Sequence, residues 1–578
     1  MRRSSRDSAP EREPVLPQSI VGVRSRMLTW RLSLFYLRPG RAVKTPADPG
    51  TRTDGSRPGR ALGAIAWLLI LLGLCWLLFF HRLANRSTWS SHEARAAQDA
   101  QTILLDNAWG LPHLFDRKVE LQKPPLYYWL VAGIASLRGR AVDAWSVRLP
   151  AACAGLGGVL LACLLGLARR RPIAGFTAAA MLATASHYGW LARTGRIDMV
   201  LAVLVAVNLF AFYLGQRRRM EQEGRGAWSW FFLAYVAAAL AVLLKGPIGL
   251  LLPAAVAGAH LLIEGAIPRL RDLRGWWRLI HGLGLWWGMP LFLAISVPWY
   301  VWANERTHGD LFWVFIWKHN IERGLGDGAL RSHPWWFYGP RFGFDFLPWS
   351  LLLPVAAWLA VRRGWWRADP EMRFGATWLL TGIAVLSCAH FKRADYLLPT
   401  YAGAALFLGS AAERCYRSIH RPRALAAAFT VLLSGAALGS SLYAAFAQPA
   451  RASAHEYHEL AREIRCRAPA PQLVLFFRTE AHALAFEVGR PIDTLLEWEN
   501  LDVWAARPQN YHVVMPATYA SVWREHLKKG QLEEVLRSSV LAGAFHDDPL
   551  VLLRTKPGPA PPAPSGELVC PNSSTGRR

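Results

Sequence analysis

Long apolar stretches alternate with short polar connections over most of this chain. The first stretch is Ala61–Phe80, which reads ALGAIAWLLILLGLCWLLFF. About twenty apolar residues in helical conformation cross the hydrocarbon layer of a bilayer. The same pattern recurs at 146–168, 172–191, 197–215, 228–244, 247–264, 282–302, 341–361, 374–389, 396–412 and 424–446. The pattern therefore predicts an α-helical polytopic membrane protein with about eleven to thirteen transmembrane helices.

One polar segment, residues 81–145, is much longer than the other connections. It contains SSHEARAAQDAQ and then ELQKPPLYYWL. Such a dense run of charged and polar groups cannot lie in hydrocarbon, where its polar atoms would find no partners. We expect it to form the first external loop of a transmembrane domain that covers residues 61–449.

The chain changes character after residue 450. HEYHELAREIRC predicts an amphipathic helix, and QLVLFF, YHVVMP and LVLLR predict short buried strands, so residues 450–555 are expected to form a small α/β domain. Cys466 and Cys570 are candidates for a disulfide if this region is extracytoplasmic. Residues 1–60 and 556–578, rich in Pro and small or polar residues, predict disordered tails.

The composition indicates the class of protein, and the positions of the charged residues indicate its orientation in the membrane. Hydrophobic residues make up 53% of the 578 residues, charged residues make up 18%, and the formal net charge is +26. A soluble protein this basic would suggest nucleic-acid binding, but no motif of that kind is present. Here the Arg clusters lie in short loops between spans, as the positive-inside rule describes. We expect a cytoplasmic N-terminus, an external first loop and an extracytoplasmic C-terminal domain.

The motif His92-Glu93-Ala94-Arg95 opens a predicted helix in the first external loop. Glu93, with or without His92, is a candidate general base or metal ligand at the membrane surface. Alternatively, Glu93 is a negative charge that stabilises the first turn of a helix. From composition alone the second interpretation is favoured.

Three cations of the predicted outer face are candidate phosphate ligands. Lys123 precedes Pro124-Pro125 and lies at the interface, either to meet a lipid phosphate or to snorkel beside aromatic residues. Lys392 and Arg393 lie at the outer end of a predicted span, against the positive-inside trend. Two cations held outside in this way indicate an anionic ligand.

Further candidates lie at other loop–span boundaries. Asp198 is at the outer end of a predicted span, where it either functions or merely pairs with Arg193 or Arg196. His319, His333 and Trp335 lie in an aromatic, basic loop that either binds an anion and a ring or is an ordinary interfacial loop.

In this order, the segments HEARAAQDAQ, QKPPLYYWLVA, RIDMVLA, LLKGPIGLLLP, KHNIERG with HPWWFY, and FKRADYLLPTYAGA resemble the GT-C glycosyltransferases that use polyprenyl-phosphate sugars. The likeness is greatest to bacterial relatives of protein O-mannosyltransferases and of the lipid A aminoarabinose transferase. Where that family has an acidic pair in the first loop, this chain has His92-Glu93, and Gln122 replaces a family Glu.

The resemblance implies a GT-C fold in a bacterial inner membrane and a polyprenyl-phosphate-linked sugar as donor. It also implies a lipid or protein acceptor. Arg95, Lys123 and the Lys392–Arg393 region would hold the donor phosphate, and Glu93 or Asp198 would activate the acceptor in an inverting displacement. Tyr127 and Tyr396 are further candidate substrate-binding residues. The two departures leave the base, and any role of a divalent metal, open.

Other function classes share some of these features. A transporter or flippase of lipid-linked sugars would have the same spans and cations, with internal repeats and helices broken at mid-membrane. An assembly protein without catalysis would not need cations outside, and an oligosaccharyltransferase-type enzyme would transfer a larger glycan. Because the polar groups gather on one face, we favour a glycosyltransferase over the transporter.

Overall fold

The computed structural model describes residues 58–86, 90–139, 141–221, 226–322, 333–447, 457–479, 481–543 and 546–556. Apart from the first residues of the opening helix, everything below concerns the compact unit Gly63–Arg578. The two predicted tails lie almost entirely outside the described residues, and so does Cys570. The tails and the pairing of Cys466 with Cys570 therefore stay predictions.

Helices dominate the first two thirds of the chain. The α-helices of this part are Pro58–Cys75, Ser91–Asp106, Leu126–Leu137, Ala144–Ala168, Pro172–Thr184, Ser186–Ala192, Ile197–Glu221, Ala227–Lys245, Ile248–Ile263, Leu273–Gly282, Leu285–Arg306, Tyr338–Asp345, Leu353–Arg362, Trp365–Ala368, Pro370–Ser387, Tyr401–Ser418 and Pro422–Leu442. Shorter 3₁₀ or π turns are Trp76–Phe80, Phe312–Glu322, Trp335–Phe337, Trp349–Leu352, Ala394–Thr400 and Tyr443–Ala447. Each of the eleven predicted apolar stretches coincides with one or more of these helices.

The spans are less regular than their sequences suggest. Of the described helices, four are long and apolar enough to cross a membrane, and two bent pairs raise the number to six. One pair, Leu273–Gly282 with Leu285–Arg306, is bent by 50°, and the other, Trp335–Asp345 with Trp349–Arg362, by 107°. Shorter apolar helices supplement them, among them Pro172–Thr184 and Ile248–Ile263. The chain is thus a multi-pass membrane protein, as predicted, although fewer spans are single unbroken helices.

Small residues bring the membrane helices into close contact. A Cβ atom added to Gly166 would lie 2.3 Å from the Cα atom of Gly175, and one added to Gly375 would lie 2.7 Å from the backbone nitrogen of Phe407. Close backbone approach at small residues is the usual way in which helices associate in lipid. By contrast, the helix Pro422–Leu442 has no buried residue and contacts the other helices through partly buried side chains such as Phe429 and Leu433.

The long polar loop of residues 81–145 contains two helices, as its sequence predicts. Ser91–Asp106, hereafter the loop helix, starts where the Ser90 side chain accepts a hydrogen bond from the Glu93 backbone nitrogen, and it ends at Asn107 in a left-handed conformation. The second helix, Leu126–Leu137, follows Pro124-Pro125. Nine residues of the loop helix are buried, so this polar helix lies inside the protein.

Residues 457–556, hereafter the sheet domain, form a five-stranded mixed sheet. Its strands are β1 (Val474–Phe477), β2 (Ile492–Leu495), β3 (His512–Pro516), β4 (Gln531–Gly543) and β5 (His546–Lys556), in the order β2-β1-β3-β5-β4. β1 is parallel to β2 and β3, whereas β5 is antiparallel to β3 and β4. The helices are His458–Arg467, His482–Val488, Trp498–Ala505 and Ala517–His526. The predicted small α/β domain is confirmed.

Of the five strands, β1, β3 and β5 match the strands expected from sequence. Their signal is a continuous apolar run, and all four residues of β1 and all five of β3 are buried. β2 and β4 carry polar residues at alternating or irregular positions and were not expected. The sheet domain rests on the loop helix, because the side-chain amide of Gln98 donates to the carbonyl of His482 over 3.0 Å.

Candidate active site

Glu93 lies at the start of the loop helix and has no exposed surface. Its carboxylate accepts two hydrogen bonds from Arg148, with Nε–Oε1 at 2.8 Å and Nη2–Oε2 at 3.1 Å. The backbone nitrogen of Gly195 donates to Oε1 over 2.8 Å. Arg148 is itself fully buried and also donates to two main-chain carbonyls of the first loop. Glu93 therefore joins the loop helix to the membrane helix Ala144–Ala168 and to the turn that precedes Ile197–Glu221.

This arrangement does not fit the predicted role of Glu93 as a base that meets an acceptor. Burial by itself would raise the pKa of Glu93, but Arg148 and Arg86 outweigh it and lower the pKa to about 2. A carboxylate that is enclosed and held by a bidentate guanidinium has little affinity for an acceptor proton. Of the two candidate bases, Glu93 has the geometry of a structural ion pair.

Asp198, the other candidate base, lies in the first turn of the helix Ile197–Glu221. Its Oδ1 is 2.5 Å from Nζ of Lys245, and its Oδ2 is 3.4 Å from Nε of Arg196. Lys245 ends the helix Ala227–Lys245, and its ammonium lies 4.2 Å from the ring centre of Tyr396. Asp198 thus stands where two spans and the FKRADY segment meet.

A second carboxylate, Asp395, extends this group. Its Oδ2 is 2.6 Å from Nη2 of Arg196 and 3.3 Å from Nη2 of Arg393. Its Oδ1 lies 3.5 Å from Nε2 of His187. Arg196 therefore bridges Asp395 and Asp198, and it connects both predicted signatures, RIDMVLA and FKRADY, in space.

His92 and Lys123 form the side of this group that faces the first external loop. The ammonium of Lys123 is 3.5 Å from Nδ1 of His92. Burial and then the charges of Lys123 and Arg196 lower the pKa of His92 to about 2, so its imidazole is neutral and can accept from the ammonium. Burial also lowers the pKa of Lys123 to about 8, and the nearby Arg95 and Arg196 contribute.

We call the following residues the ionic cluster: His92, Lys123, Arg196, Asp198, Lys245, Arg393 and Asp395. Its four cations face two carboxylates, so the cluster carries an excess of positive charge. It lies where the loop helix meets the ends of three membrane helices. Partly buried cations in excess at such a boundary suit an anion such as a phosphate.

Three predicted binding residues, Tyr127, Lys392 and Arg95, make their hydrogen bonds outside the ionic cluster. Tyr127 is fully buried, and its hydroxyl donates to the carbonyl of Val147 over 2.8 Å, so it packs between helices and does not face a substrate. Lys392 is buried and donates to the main-chain carbonyls of His333 and Ala389. It ties two loops together, whereas its neighbour Arg393 reaches the ionic cluster.

Arg95 also points away from the cluster. Its guanidinium lies 2.7 Å from the carboxylate of Glu120 and 3.2 Å from the side-chain oxygen of Gln122. It lines a separate cavity beneath the sheet domain. Its predicted place among the donor-phosphate ligands therefore does not agree with the geometry.

The predicted binding residues of the aromatic loop lie in different surroundings. The ring of His333 packs edge-on against Phe337, with ring centres 4.4 Å apart, and Trp335 is 77% exposed. His319 is half-buried near the end of the helix Phe312–Glu322. Of the predicted substrate-binding residues, Tyr396 has a described contact with the cluster, through Lys245.

Sequence reasoning passed over four residues that matter here. From the sequence, Arg196 is only a possible partner of Asp198, Lys245 stands within the segment LLKGPIGLLLP, and His187 is in no quoted segment. Asp395 was not singled out, although it stands in the quoted segment FKRADY. A carboxylate two residues after a Lys-Arg pair at a span end was the signal that could have found it.

The described residues contain no group of three or more His, Cys, Asp or Glu side chains placed to hold a metal ion. Dependence on a divalent metal stays a prediction.

Comparison with known proteins finds one protein family that matches part of this chain and several proteins to which the chain is similar. The family of dolichyl-phosphate-mannose-protein mannosyltransferases matches residues 122–302. An undecaprenyl phosphate-α-4-amino-4-deoxy-L-arabinose arabinosyl transferase from Pseudomonas paraeruginosa is 30% identical over 60% of this chain, which spans 58% of that relative. A second transferase of that name, from Pseudomonas fluorescens, is 28% identical over 73% of this chain and 69% of its own length.

Two solved structures share the architecture. ArnT from Cupriavidus metallidurans, solved with undecaprenyl phosphate bound, superposes with a TM-score of 0.68 at 18% identity, over 85% of this chain and 98% of ArnT. The chain has the GT-C fold. The archaeal oligosaccharyltransferase AglB from Archaeoglobus fulgidus superposes with a TM-score of 0.52 at 12% identity, over 81% of this chain and 72% of AglB. The predicted GT-C fold is thereby confirmed.

Proposed function

We propose that this protein is a membrane glycosyltransferase that moves a sugar from a polyprenyl-phosphate donor to an acceptor on the extracytoplasmic face of a bacterial inner membrane. The observation that carries the proposal is the ionic cluster, with four cations against two carboxylates at the boundary between loop helix and spans. The names of the relatives, which are transferases with undecaprenyl-phosphate-linked donors, support it.

The donor phosphate binds to the cations of the cluster. Lys245, Arg393 and Lys123 lie on different elements and are each partly exposed, so they can surround one phosphate group. The prenyl chain extends between the membrane helices. As the sugar leaves, negative charge grows on the phosphate oxygen, and preorganised cations stabilise that charge in a site from which water is partly excluded.

Asp198 is the base in this mechanism. In the free protein it is paired with Lys245 at 2.5 Å. A bound phosphate competes for that ammonium and leaves Asp198 available to accept a proton. The acceptor hydroxyl or amine then attacks the anomeric carbon, its proton passes to Asp198, and the bond between that carbon and the phosphate oxygen breaks. A single displacement of this kind inverts the anomeric centre.

The orientation is part of the proposal. The Arg clusters of the short loops lie in the cytoplasm, and the loop helix and sheet domain lie outside. The acceptor, a lipid or a protein, approaches from the side of the sheet domain.

The test is a transfer assay on the purified full chain in lipid nanodiscs. The donors are radiolabelled undecaprenyl-phosphate sugars, aminoarabinose and mannose among them, and the acceptor is a bacterial membrane extract. We expect label to move to an acceptor while undecaprenyl phosphate is released in equal amount.

Binding of the donors without turnover would overturn the proposal. If the protein in liposomes then moved the same donors from one leaflet to the other, the transporter alternative would be correct.

A further inference from the structure

A second cavity, separate from the ionic cluster, lies between the first external loop and the sheet domain. It is partly open and has a volume of about 690 Å³, within the range of about 300–1,000 Å³ that is typical of ligand pockets. Its walls come from Arg95, Gln98 and Gln122 on one side and from Arg478, Thr479 and Tyr519 on the other.

The cavity lies at the carboxyl ends of the parallel strands. Arg478 and Thr479 directly follow β1, and Thr494 is the penultimate residue of β2. Tyr519 lies in the helix that follows β3. The chain runs from β1 to β2 on one side and returns to β3 on the other side of β1, so the winding reverses here. In open α/β sheets, ligands bind in the crevice outside the carboxyl ends of strands at such a reversal.

Two local features of the cavity wall are energetically unfavourable in the folded protein and indicate a functional role for the cavity. Arg478 adopts a left-handed conformation with φ of 46°, which is strained for a residue with a side chain and is concentrated at functional sites. Next to it, Thr479 is 6% exposed, and its hydroxyl has no hydrogen-bond partner among the described residues. Buried hydroxyls are normally paired, so this one is available to a ligand.

The charges of the cavity wall are balanced, in contrast to those of the ionic cluster. Arg95 pairs with Glu120 at 2.7 Å, Lys118 with Asp116 at 3.0 Å and Arg478 with Glu497 at 3.6 Å. Because each cation already has a carboxylate, the cavity has little attraction for a phosphate.

The remaining wall groups suit a polyol. Burial lowers the pKa of His482 to about 4, with a contribution from Arg95, so its imidazole is neutral. Gln98, Gln122 and Thr479 supply neutral donors and acceptors, and Tyr519 supplies a ring. Neutral hydrogen-bonding groups beside an aromatic face match the alternating hydroxyls and the apolar face of a sugar.

We propose that this cavity binds the uncharged sugar portion of an acceptor glycolipid. The inference rests on the proposed transferase function and assigns an acceptor site to it. Gln122 lines the cavity, while the next residue, Lys123, contacts His92 in the ionic cluster. Two adjacent residues therefore join the cavity to the ionic cluster.

The experiment measures binding of monoglucosyl and diglucosyl diacylglycerol to the full chain in detergent micelles, with diacylglycerol of the same acyl chains as reference. Tyr519→Leu removes the ring, and Thr479→Val removes the unpaired hydroxyl at nearly constant volume. We expect the wild type to bind the glucosylated lipids at least about tenfold more tightly than diacylglycerol. We expect each variant to weaken that binding about three- to tenfold, the effect of one net polar or ring contact.

Matched controls are Tyr511→Leu and Thr518→Val, which lie in the same domain but do not line the cavity, and they should bind as the wild type does. Undecaprenyl phosphate binding is measured in parallel and should be the same in all five proteins. If it is absent even in the wild type, the proposed function itself fails.

Three results would overturn the cavity assignment while leaving the transferase intact. These are equal binding of diacylglycerol and glucosylated lipid, glucosylated-lipid binding that neither variant weakens, and displacement of the glycolipid by inorganic phosphate at millimolar concentration. Saturable binding of a Ser/Thr-rich peptide, lost in Tyr519→Leu, would identify a protein acceptor surface instead.

Discussion

Two buried carboxylates of this protein, Glu93 and Asp198, look alike in sequence and differ in their surroundings. Both begin a helix at the same membrane boundary, and both are paired with a cation. Both oxygens of Glu93 accept hydrogen bonds from Arg148, and one also accepts from a backbone nitrogen, at 2.8 to 3.1 Å, while the guanidinium of Arg86 lies 3.8 Å away. Asp198 shares Lys245 and Arg196 with a ring of further charges. One pair is closed, and the other belongs to a cluster with positive charge to spare.

This contrast separates structural ion pairs from chemical ones. Both oxygens of Glu93 already accept hydrogen bonds within a fully buried pair, so adding a ligand there would cost those bonds. In a cluster with excess charge, an added anion improves the balance. We therefore expect Glu93 to affect folding and Asp198 to affect chemistry.

The variant Asp198→Asn is expected to have the largest effect. Because the amide cannot accept the acceptor's proton, we expect sugar transfer to fall by about 10²- to 10⁴-fold. The measurement is initial transfer rate in nanodiscs, with undecaprenyl phosphate binding as the check that the site is folded.

Asp310→Asn, an exposed carboxylate just before the helix Phe312–Glu322, is the matched control and should keep the wild-type rate. Full transfer in Asp198→Asn would remove Asp198 as the base.

Glu93→Gln tests the other half of the comparison. Removing one charge of the pair leaves Arg148 buried without its counter-ion, so we expect a loss of about 3 kcal/mol in the free energy of unfolding. Transfer per folded molecule should stay within about threefold of the wild type, since the change does not alter the proton acceptor. Thermal unfolding in detergent and the transfer assay give the two values.

The double variant Glu93→Gln with Arg148→Met should recover part of the stability, because it removes the unpaired charge. A Glu93→Gln protein with normal stability and no transfer would restore Glu93 as the base.

Lys123 gives the cluster a pH dependence. Its ammonium is charged below its pKa of about 8, and only the charged form attracts phosphate. Between about pH 7 and pH 8 the phosphomonoester is already mostly a dianion, so affinity should change little there and fall as pH rises above about 8, by up to about tenfold over the next two units. Equilibrium binding of undecaprenyl phosphate between pH 7 and pH 10 measures this.

In Lys123→Arg the guanidinium stays protonated over that range, so the fall should vanish. The same fall in Lys123→Arg and in the wild type would assign the pH dependence to another group.

The smallest expected effect concerns Asp99, a third buried carboxylate that is neither closed nor clustered. Neither of its oxygens has a hydrogen-bond partner among the described residues. Burial, with a contribution from Glu120, raises the pKa of Asp99 well above its usual value. The folded state thus holds a proton that the unfolded state releases, so stability falls as pH rises above the ordinary Asp pKa.

Asp99→Asn mimics the protonated acid and should remove that fall, with a gain of about 1 kcal/mol at pH 8 and little change at pH 4. The difference between thermal unfolding of variant and wild type at the two pH values is the readout. Equal differences at both values would mean that Asp99 is ionised in the folded protein.

Much of the fold followed from sequence because the signals are local. Each apolar stretch became helical, since a chain in lipid must satisfy its own backbone hydrogen bonds. The strands β1, β3 and β5 followed from buried apolar runs. The broken spans did not follow, because the 107° bend between Trp335–Asp345 and Trp349–Arg362 depends on packing against other helices. The polar strands β2 and β4 did not follow from sequence either, because their conformation depends on pairing with β1 and β5.

The site was predictable only in outline. Asp198, Lys123, Arg393 and His92 do lie together, as their segments suggested. Tyr127, Lys392 and Arg95 do not join them, because each side chain points to a different partner from the one its motif implied. Burial and direction of a side chain depend on residues twenty or more positions away, as between Tyr127 and Val147 or Arg95 and Glu120.

The amino-acid sequence was enough to predict a multi-pass membrane protein with a polar first loop, a small α/β domain and the GT-C motifs in order. Hydrophobic length and local periodicity suffice for that. Which carboxylate is closed, which cations are in excess and where a neutral cavity forms became known only from the folded arrangement of the chain. Those properties are sums over charges and hydrogen bonds from elements far apart in the chain, and no local pattern contains such a sum.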